Sequence, residues 1–153
     1  MSLTDPTKKM SKSDLNPNSR ILITDDEETT RQKFRTALTD SQEGISYDPE
    51  NRPGVSNLLD ILKHTKDVEM SGHDLAAEFK GSSLRSLKET VADAVVKTLA
   101  EVREKYFQLR SSQDILLDDI AHNEHRAATD AGMTLEDVKS AMGLIHIGKR
   151  VNV

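Results

Sequence analysis

No cysteine occurs in the 153 residues. That excludes disulfide staples, thiolate-ligated zinc and thiol catalysis. Aromatic side chains are scarce, at two Tyr and three Phe, which argues against a sheet that stacks bases on exposed rings. No run approaches the roughly 20 apolar residues of a membrane span. The first residues have neither a secretory apolar core nor the Arg-rich, acid-poor character of a transit peptide. Positive charge is short as well. The net charge is -5, which speaks against a general nucleic-acid binder, because phosphate contacts need local cations.

What is present suits one ordinary domain with its own core. Hydrophobic residues make up 35% and charged residues 31%, a balance that fits a small helical domain or a partly extended fragment. Charge is unevenly spread. Residues 1–20 hold four basic and two acidic side chains, whereas residues 21–60 hold nine acidic and four basic. A positive island therefore precedes an acidic segment.

Turn formers such as Asp5-Pro6 and Asn16-Pro17 make residues 1–20 irregular. Ile21-Leu22-Ile23 reads as a brief strand or a buried link. Thr24 and Glu27 spell a capping box, and Asp25, Asp26, Glu27 and Glu28 fill the first turn of a helix, where its dipole favours them. Phe34, Ala37 and Leu38 supply its buried stripe, and it should end near Thr39. After a loop over 40–53, Val55, Leu58, Leu59 and Leu62 recur at i, i+3, i+4 and i+7, one face of a second helix with Pro53 in its first turn. A short helix over His73–Phe79 stops at Gly81. Leu84, Leu87, Val91, Val95, Thr98, Leu99, Val102, Tyr106 and Leu109 then predict a long helix over Leu84–Arg110, broken at Ser111-Ser112. Ile115, Leu116 and Ile120 serve a further helix. Ala127, Ala131, Leu135, Val138 and Met142 serve another, with Gly132 inside it and Gly143 after it. Residues 145–153 form a tail. The fold class is all-α, with no internal repeat. The segments run 1–20, 21–60, 61–144 and 145–153.

Lys9-Met10-Ser11-Lys12-Ser13 spells KMSKS, the second signature of class I aminoacyl-tRNA synthetases. The chemistry suits these residues. When a carboxylate attacks the α-phosphate of ATP, pyrophosphate leaves with growing negative charge. Two ammonium groups three residues apart, with small hydroxyls beside them, can wrap that leaving group. Lysine is a flexible point charge, fit for a loop that approaches and lets go. A chance basic loop is the bland alternative, and a bare K-x-x-K would not exclude it.

The flanks narrow the resemblance. Asp5-Pro6-Thr7-Lys8 and Asp14 around the motif, Thr39-Asp40, Ile45-Ser46-Tyr47-Asp48-Pro49 and Arg52-Pro53-Gly54-Val55-Ser56-Asn57-Leu58-Leu59 resemble the tryptophanyl-tRNA synthetases of bacterial type. The likeness is strong over residues 1–60 and looser to Leu144. It implies a KMSKS loop that closes a Rossmann-type catalytic domain, itself missing from this chain, and a helical anticodon-binding domain after it. It implies that Lys9 and Lys12 serve catalysis and that Lys9, Met10, Ser11, Lys12 and Ser13 bind ATP, which arrives with Mg2+. The partners it implies are tRNA(Trp), tryptophan and ATP, in a homodimer. The location it implies is the mitochondrial matrix in a eukaryote and the cytoplasm in a bacterium. Arg85, Lys88, Arg103, Lys105, Arg110 and Arg126 form the pool for tRNA contacts.

Departures from the family exist. Leu15 stands where relatives often carry proline. Asn123-Glu124-His125-Arg126-Ala127 offers only Arg126 where relatives have a Gly and a Lys. The HIGH motif belongs before KMSKS. His146-Ile147-Gly148 comes after it and reads as coincidence. A free-standing RNA-binding module derived from a synthetase C-terminus, or an inactive truncated product, remains as an alternative. Other candidates are weaker. His122 and His125 lack a third metal ligand. Ser11 and Ser13 have no base to activate them. The stripe over 84–109 suits packing against neighbouring helices before a partner helix. No metal site is expected.

Overall fold

The computed structural model describes residues 1–66 and 69–144. The expected tail and His146-Ile147-Gly148 lie outside the described residues. Five α-helices follow the irregular N-terminal segment: α1 Glu27–Arg35, α2 Pro53–Lys66, α3 Gly72–Glu78, α4 Leu84–Ser111 and α5 Gln113–Ala141. Pro17–Ser19 forms one 3-10 turn. No strand occurs among the described residues, so Ile21-Leu22-Ile23 is a link, with Leu22 and Ile23 exposed.

The start of α1 differs from the expected capping box. Asp26 is the N-cap, and its carboxylate accepts a hydrogen bond from the Thr29 amide at 2.7 Å. Thr24 plays no such part, because its neighbour Asp25 is committed elsewhere. Asp25 accepts from the Leu22 amide at 2.8 Å and from the Lys33 ammonium at 2.6 Å, in a buried ion pair. The rest of the acidic run is likewise paired: Glu27 with Arg31, Glu28 with Arg35. The helix also ends earlier than expected. The Thr36 amide turns back to the Gln32 carbonyl and the Ala37 amide to the Phe34 carbonyl, and Leu38 is exposed while its own amide donates to the Leu3 carbonyl.

Helix α2 is the spine of the core. Val55, Leu58, Leu59 and Leu62 are 0–1% exposed, and each buried leucine contributes about 1.5–3 kcal/mol by leaving water. Gly54 permits this position. A Cβ there would collide with the Leu38 carbonyl, so any larger residue must push α2 away from the chain that leaves α1. The same core takes in Leu3, Phe34 and Ala37 from before α2, and Leu75, Ala76, Leu87, Val91, Ala92 and Val95 from after it. Residues 1–60 and the first part of the helical half thus share one core.

The chain divides into two compact units, Met1–Tyr106 and Phe107–Val153. In the first, only the N-terminal part of the long α4 stripe is buried. Leu87, Val91 and Val95 are inside, whereas Val102 and Tyr106 are exposed. In the second, α5 is one helix where two were expected. The polar stretch His122–Arg126 interrupts the apolar spacing, but it contains no Gly or Pro to stop the backbone ladder. None of its residues is buried. Gly143 follows with φ +70, the left-handed conformation that favours glycine after a helix end.

Candidate functional site

The N-terminal segment is a loop with a fixed base and a solvated tip. At the base, Leu3 is buried in the core. Its amide donates to the Ser19 carbonyl at 3.0 Å, and its carbonyl accepts from the Leu38 amide at 2.7 Å. The Ser2 amide donates to the Lys8 carbonyl at 2.7 Å, which closes a turn immediately before Lys9. Within that turn Asp5 pairs with Lys8 at 2.7 Å and accepts from the Thr7 hydroxyl at 2.6 Å. These contacts, Lys8 first, lower the Asp5 carboxyl from 3.8 to about 2. The same partner raises the Lys8 ammonium.

This pairing sorts the three lysines of the loop, which the sequence alone does not do. Lys8 is held by Asp5. Lys9 and Lys12 are exposed, and among the described residues neither makes an ion pair. Met10 between them is half-buried against the core. Beyond it the loop is tightened by its own small polar groups. Ser11 and Ser13 hydroxyls lie 3.0 Å apart, and the Asp14 amide donates to the Ser11 carbonyl. The Asn16 amide donates to the Asp14 carboxylate at 2.8 Å, and the Arg20 guanidinium donates to the Asp14 carbonyl at 2.9 Å. Leu15 is fully solvated at the tip. Two unpaired ammonium groups and two hydroxyls on an exposed, anchored loop form an arrangement that can receive a polyanion such as a di- or triphosphate.

The basic residues proposed for nucleic acid differ in what already holds them. Arg85 forms an ion pair with Glu89 one turn on. Lys88 is half-buried and donates to the Ala37 carbonyl at 2.8 Å, and burial lowers its ammonium pKa. It caps the chain leaving α1 and is committed there. Arg103 lies about 22 Å beyond Lys88 along α4, at about 1.5 Å per residue. It donates to the Ile23 carbonyl at 3.1 Å, tying α4 to the link before α1. Lys105 is exposed on the same helix, and Arg110 and Arg126 are exposed in the second unit. His122 and His125 are exposed on α5. Among the described residues, no group of three or more His, Asp and Glu could hold a metal ion. No helix of the described residues is long and apolar enough to cross a membrane.

The loop that carries Lys9-Met10-Ser11-Lys12-Ser13 is thus anchored on a helical core. The family model described as tRNA synthetases class I (W and Y) matches residues 1–100, and the chain belongs to that family. Its relatives narrow the likeness to the tryptophan branch of bacterial type. It is 42% identical over 146 residues to the tryptophan–tRNA ligase of Halalkalibacterium halodurans, covering 94% of this chain and 43% of the relative. The tryptophan–tRNA ligase of Oceanobacillus iheyensis is 40% identical over the same shares. Among solved structures, the tryptophanyl-tRNA synthetase from Mycoplasma pneumoniae superposes with a TM-score of 0.79 at 33% identity, over 94% of this chain and 43% of that one. The chain thus spans less than half the length of these relatives.

Proposed function

We propose that this chain supplies the ATP-phosphate loop and the anticodon-side helices of a tryptophan–tRNA ligase. The carrying observation is that Lys9 and Lys12 are exposed and unpaired on a loop whose base is fixed, while Lys8 is neutralised by Asp5. In activation, a carboxylate oxygen of tryptophan bonds to the α-phosphorus of ATP. The bond from that phosphorus to the bridging oxygen breaks, and pyrophosphate leaves with the electron pair. Lys9 and Lys12 meet the growing charge, and the Ser11 and Ser13 hydroxyls and nearby amides donate to phosphate oxygens. Mg2+ arrives with ATP as part of the substrate. Met10, seated against the core, is the pivot that lets the flanking lysines move while the loop stays attached.

The helices after residue 60 receive the anticodon stem-loop of tRNA(Trp). Lys105, Arg110 and Arg126 are the better phosphate contacts in this reading, because the Lys88 and Arg103 side chains already hold the fold together. The working enzyme is a homodimer, as the resemblance implies, and the Rossmann half with its HIGH motif and tryptophan pocket completes the site.

A chimera tests the reading. In the Halalkalibacterium halodurans ligase, the matching 43% of the chain is replaced by these 153 residues, and aminoacylation of tRNA(Trp) is measured. The chimera should charge tRNA(Trp), and the 153 residues alone should not catalyse tryptophan-dependent ATP–pyrophosphate exchange, because the resemblance assigns the tryptophan pocket to the half of the enzyme that precedes the KMSKS loop, and without it no near-attack geometry is built. A folded chimera without charging activity, or exchange by the chain alone, would contradict the proposal.

A further inference from the structure

We propose that Asn57 is the positioning residue of the KMSKS loop. From the second turn of α2 it holds the base of that loop and so sets where Lys9 and Lys12 present their charges. The inference rests on the reading of the loop as an ATP-phosphate site. Asn57 is buried at 6% exposure. Its amide nitrogen donates to the Met1 carbonyl at 3.3 Å and the Ser2 carbonyl at 3.4 Å, and its amide oxygen accepts from the Met1 nitrogen at 2.9 Å. These contacts span more than fifty positions of sequence.

The link from this amide to the lysines is short. Asn57 fixes the peptide groups of residues 1 and 2. The Ser2 amide holds the Lys8 carbonyl, and Lys9 is the next residue. On the other side, Leu3 is locked between Ser19 and Leu38. A displacement of the residue 1–2 carbonyls therefore reaches Lys9 through one hydrogen bond. No other side chain of α2 hydrogen-bonds to this segment among the described residues, so Asn57 is the polar contact that refers the loop base to α2, beside the apolar seats of Leu3 and Met10.

The residue type follows from the task. Two carbonyls accept from this side chain, and the Met1 N-terminal ammonium donates to it. A hydroxyl has one donor, whereas the primary amide of Asn offers two N–H donors and an acceptor oxygen together. A carboxylate keeps the shape and the acceptor but loses the donors, and an alanine loses everything polar. Folding of α2 does not depend on it, because Val55, Leu58, Leu59 and Leu62 hold the helix from its other positions.

The experiment uses the chimeric ligase, with Lys12→Ala, Asn57→Ala, Asn57→Asp and the double variant Lys12→Ala/Asn57→Ala. Tryptophan-dependent ATP–pyrophosphate exchange and thermal unfolding are measured for each. Asn57→Ala and Asn57→Asp should lower kcat by about 10- to 100-fold, as expected for a small misplacement of charged groups, with KM for tryptophan unchanged. The double variant should lose less than the product of the two single losses, because the loop's position then acts through Lys9 alone. Wild-type kcat in both Asn57 variants would overturn the inference, as would a full multiplicative loss in the double variant or a loss that simply follows the unfolded fraction. Should Lys12→Ala itself leave the rate unchanged, the reading of the loop fails first and the positioning role with it.

Discussion

Arg52 offers a sharp test of how the loop between α1 and α2 is built. Its side chain is almost wholly buried, and every guanidinium nitrogen is used. The Nε group donates to the Asp40 carboxylate at 3.0 Å, one Nη donates to the same carboxylate at 2.8 Å and to the Gln42 carbonyl at 3.2 Å, and the other donates to the Gly44 carbonyl at 3.1 Å and the Ser46 hydroxyl at 2.9 Å. Arg52→Met keeps the length and removes the charge. Stripping one partner from a buried ion pair costs about 3–5 kcal/mol. The Asp40 side chain keeps 23% exposure, so water softens its loss and the lower end, about 3 kcal/mol, applies. At about 4 °C per kcal/mol for a domain of this size, Tm should fall by about 12 °C. Arg52→Lys should fall between, since one ammonium can keep Asp40 but cannot also reach the carbonyls. Arg52 holds the Asp40 carboxyl below its ordinary value of 3.8. A depressed carboxyl stabilises the fold fully above that ordinary value and loses the contribution as pH falls through its lowered native value. The gap between wild type and Arg52→Met should therefore narrow as pH falls below about 4, leaving the part due to the Gln42, Gly44 and Ser46 contacts. Urea unfolding followed by circular dichroism, in a double-mutant cycle with Asp40→Asn, reads the coupling directly. A change within about 0.5 kcal/mol for Arg52→Met, the size of an ordinary surface substitution, would refute the reasoning.

Gly54→Ala should destabilise the first unit by about 3 kcal/mol, the upper end for overpacking, because the atom it meets is the Leu38 backbone carbonyl and cannot rotate away; an unchanged urea midpoint would show that α2 slides freely. The Asp5 carboxyl should titrate near 2 by NMR, and Lys8→Ala should return it toward 3.8; titration at the ordinary value in the parent chain would remove the Asp5–Lys8 pair from the account. Residues 1–144 should bind tRNA(Trp) weakly, each phosphate contact adding a log–log salt slope of about -0.7. Of the six-residue pool, Lys105, Arg110 and Arg126 are exposed and not already engaged in holding the fold, so the total slope should stay shallow. Substituting the anticodon should weaken binding more than substituting the acceptor end, and equal affinities for native and anticodon-substituted tRNA would leave these helices only a scaffold role.

The apolar periodicity of α2 was legible because it is answered by burial on the same positions, Val55, Leu58, Leu59 and Leu62. The same reasoning over-reached on α4 and α5. Spacing identifies a face of a helix and not what covers it, and Val102, Ile115, Ile120, Leu135 and Val138 keep their spacing while exposed. Capping was ambiguous for a local reason. Thr24 with Glu27 and Asp26 with Thr29 are both acceptable starts, and the choice is made by the buried pair of Asp25 with Lys33, eight residues away. At the site, the KMSKS string was plain, but its allocation of charge was not. That Lys8 is spent on Asp5 depends on the turn closed by Ser2 and Lys8. That Lys88 and Arg103 are structural depends on carbonyls of Ala37 and Ile23, more than fifty residues distant. The role of Asn57 could not be read from α2 alone, since its partners sit at the other end of the first sixty residues.

The central claim is that the Lys12 ammonium acts on charge that appears when pyrophosphate leaves. Steady-state ATP–pyrophosphate exchange by the chimeric ligase, comparing Lys12→Ala with its parent, tests this most directly. A preorganised charge aimed at developing negative charge contributes about 3–4 kcal/mol, so kcat should fall by about two to three orders of magnitude while KM for tryptophan stays constant. An unchanged kcat, or a loss carried equally by tryptophan affinity and rate, would contradict the account.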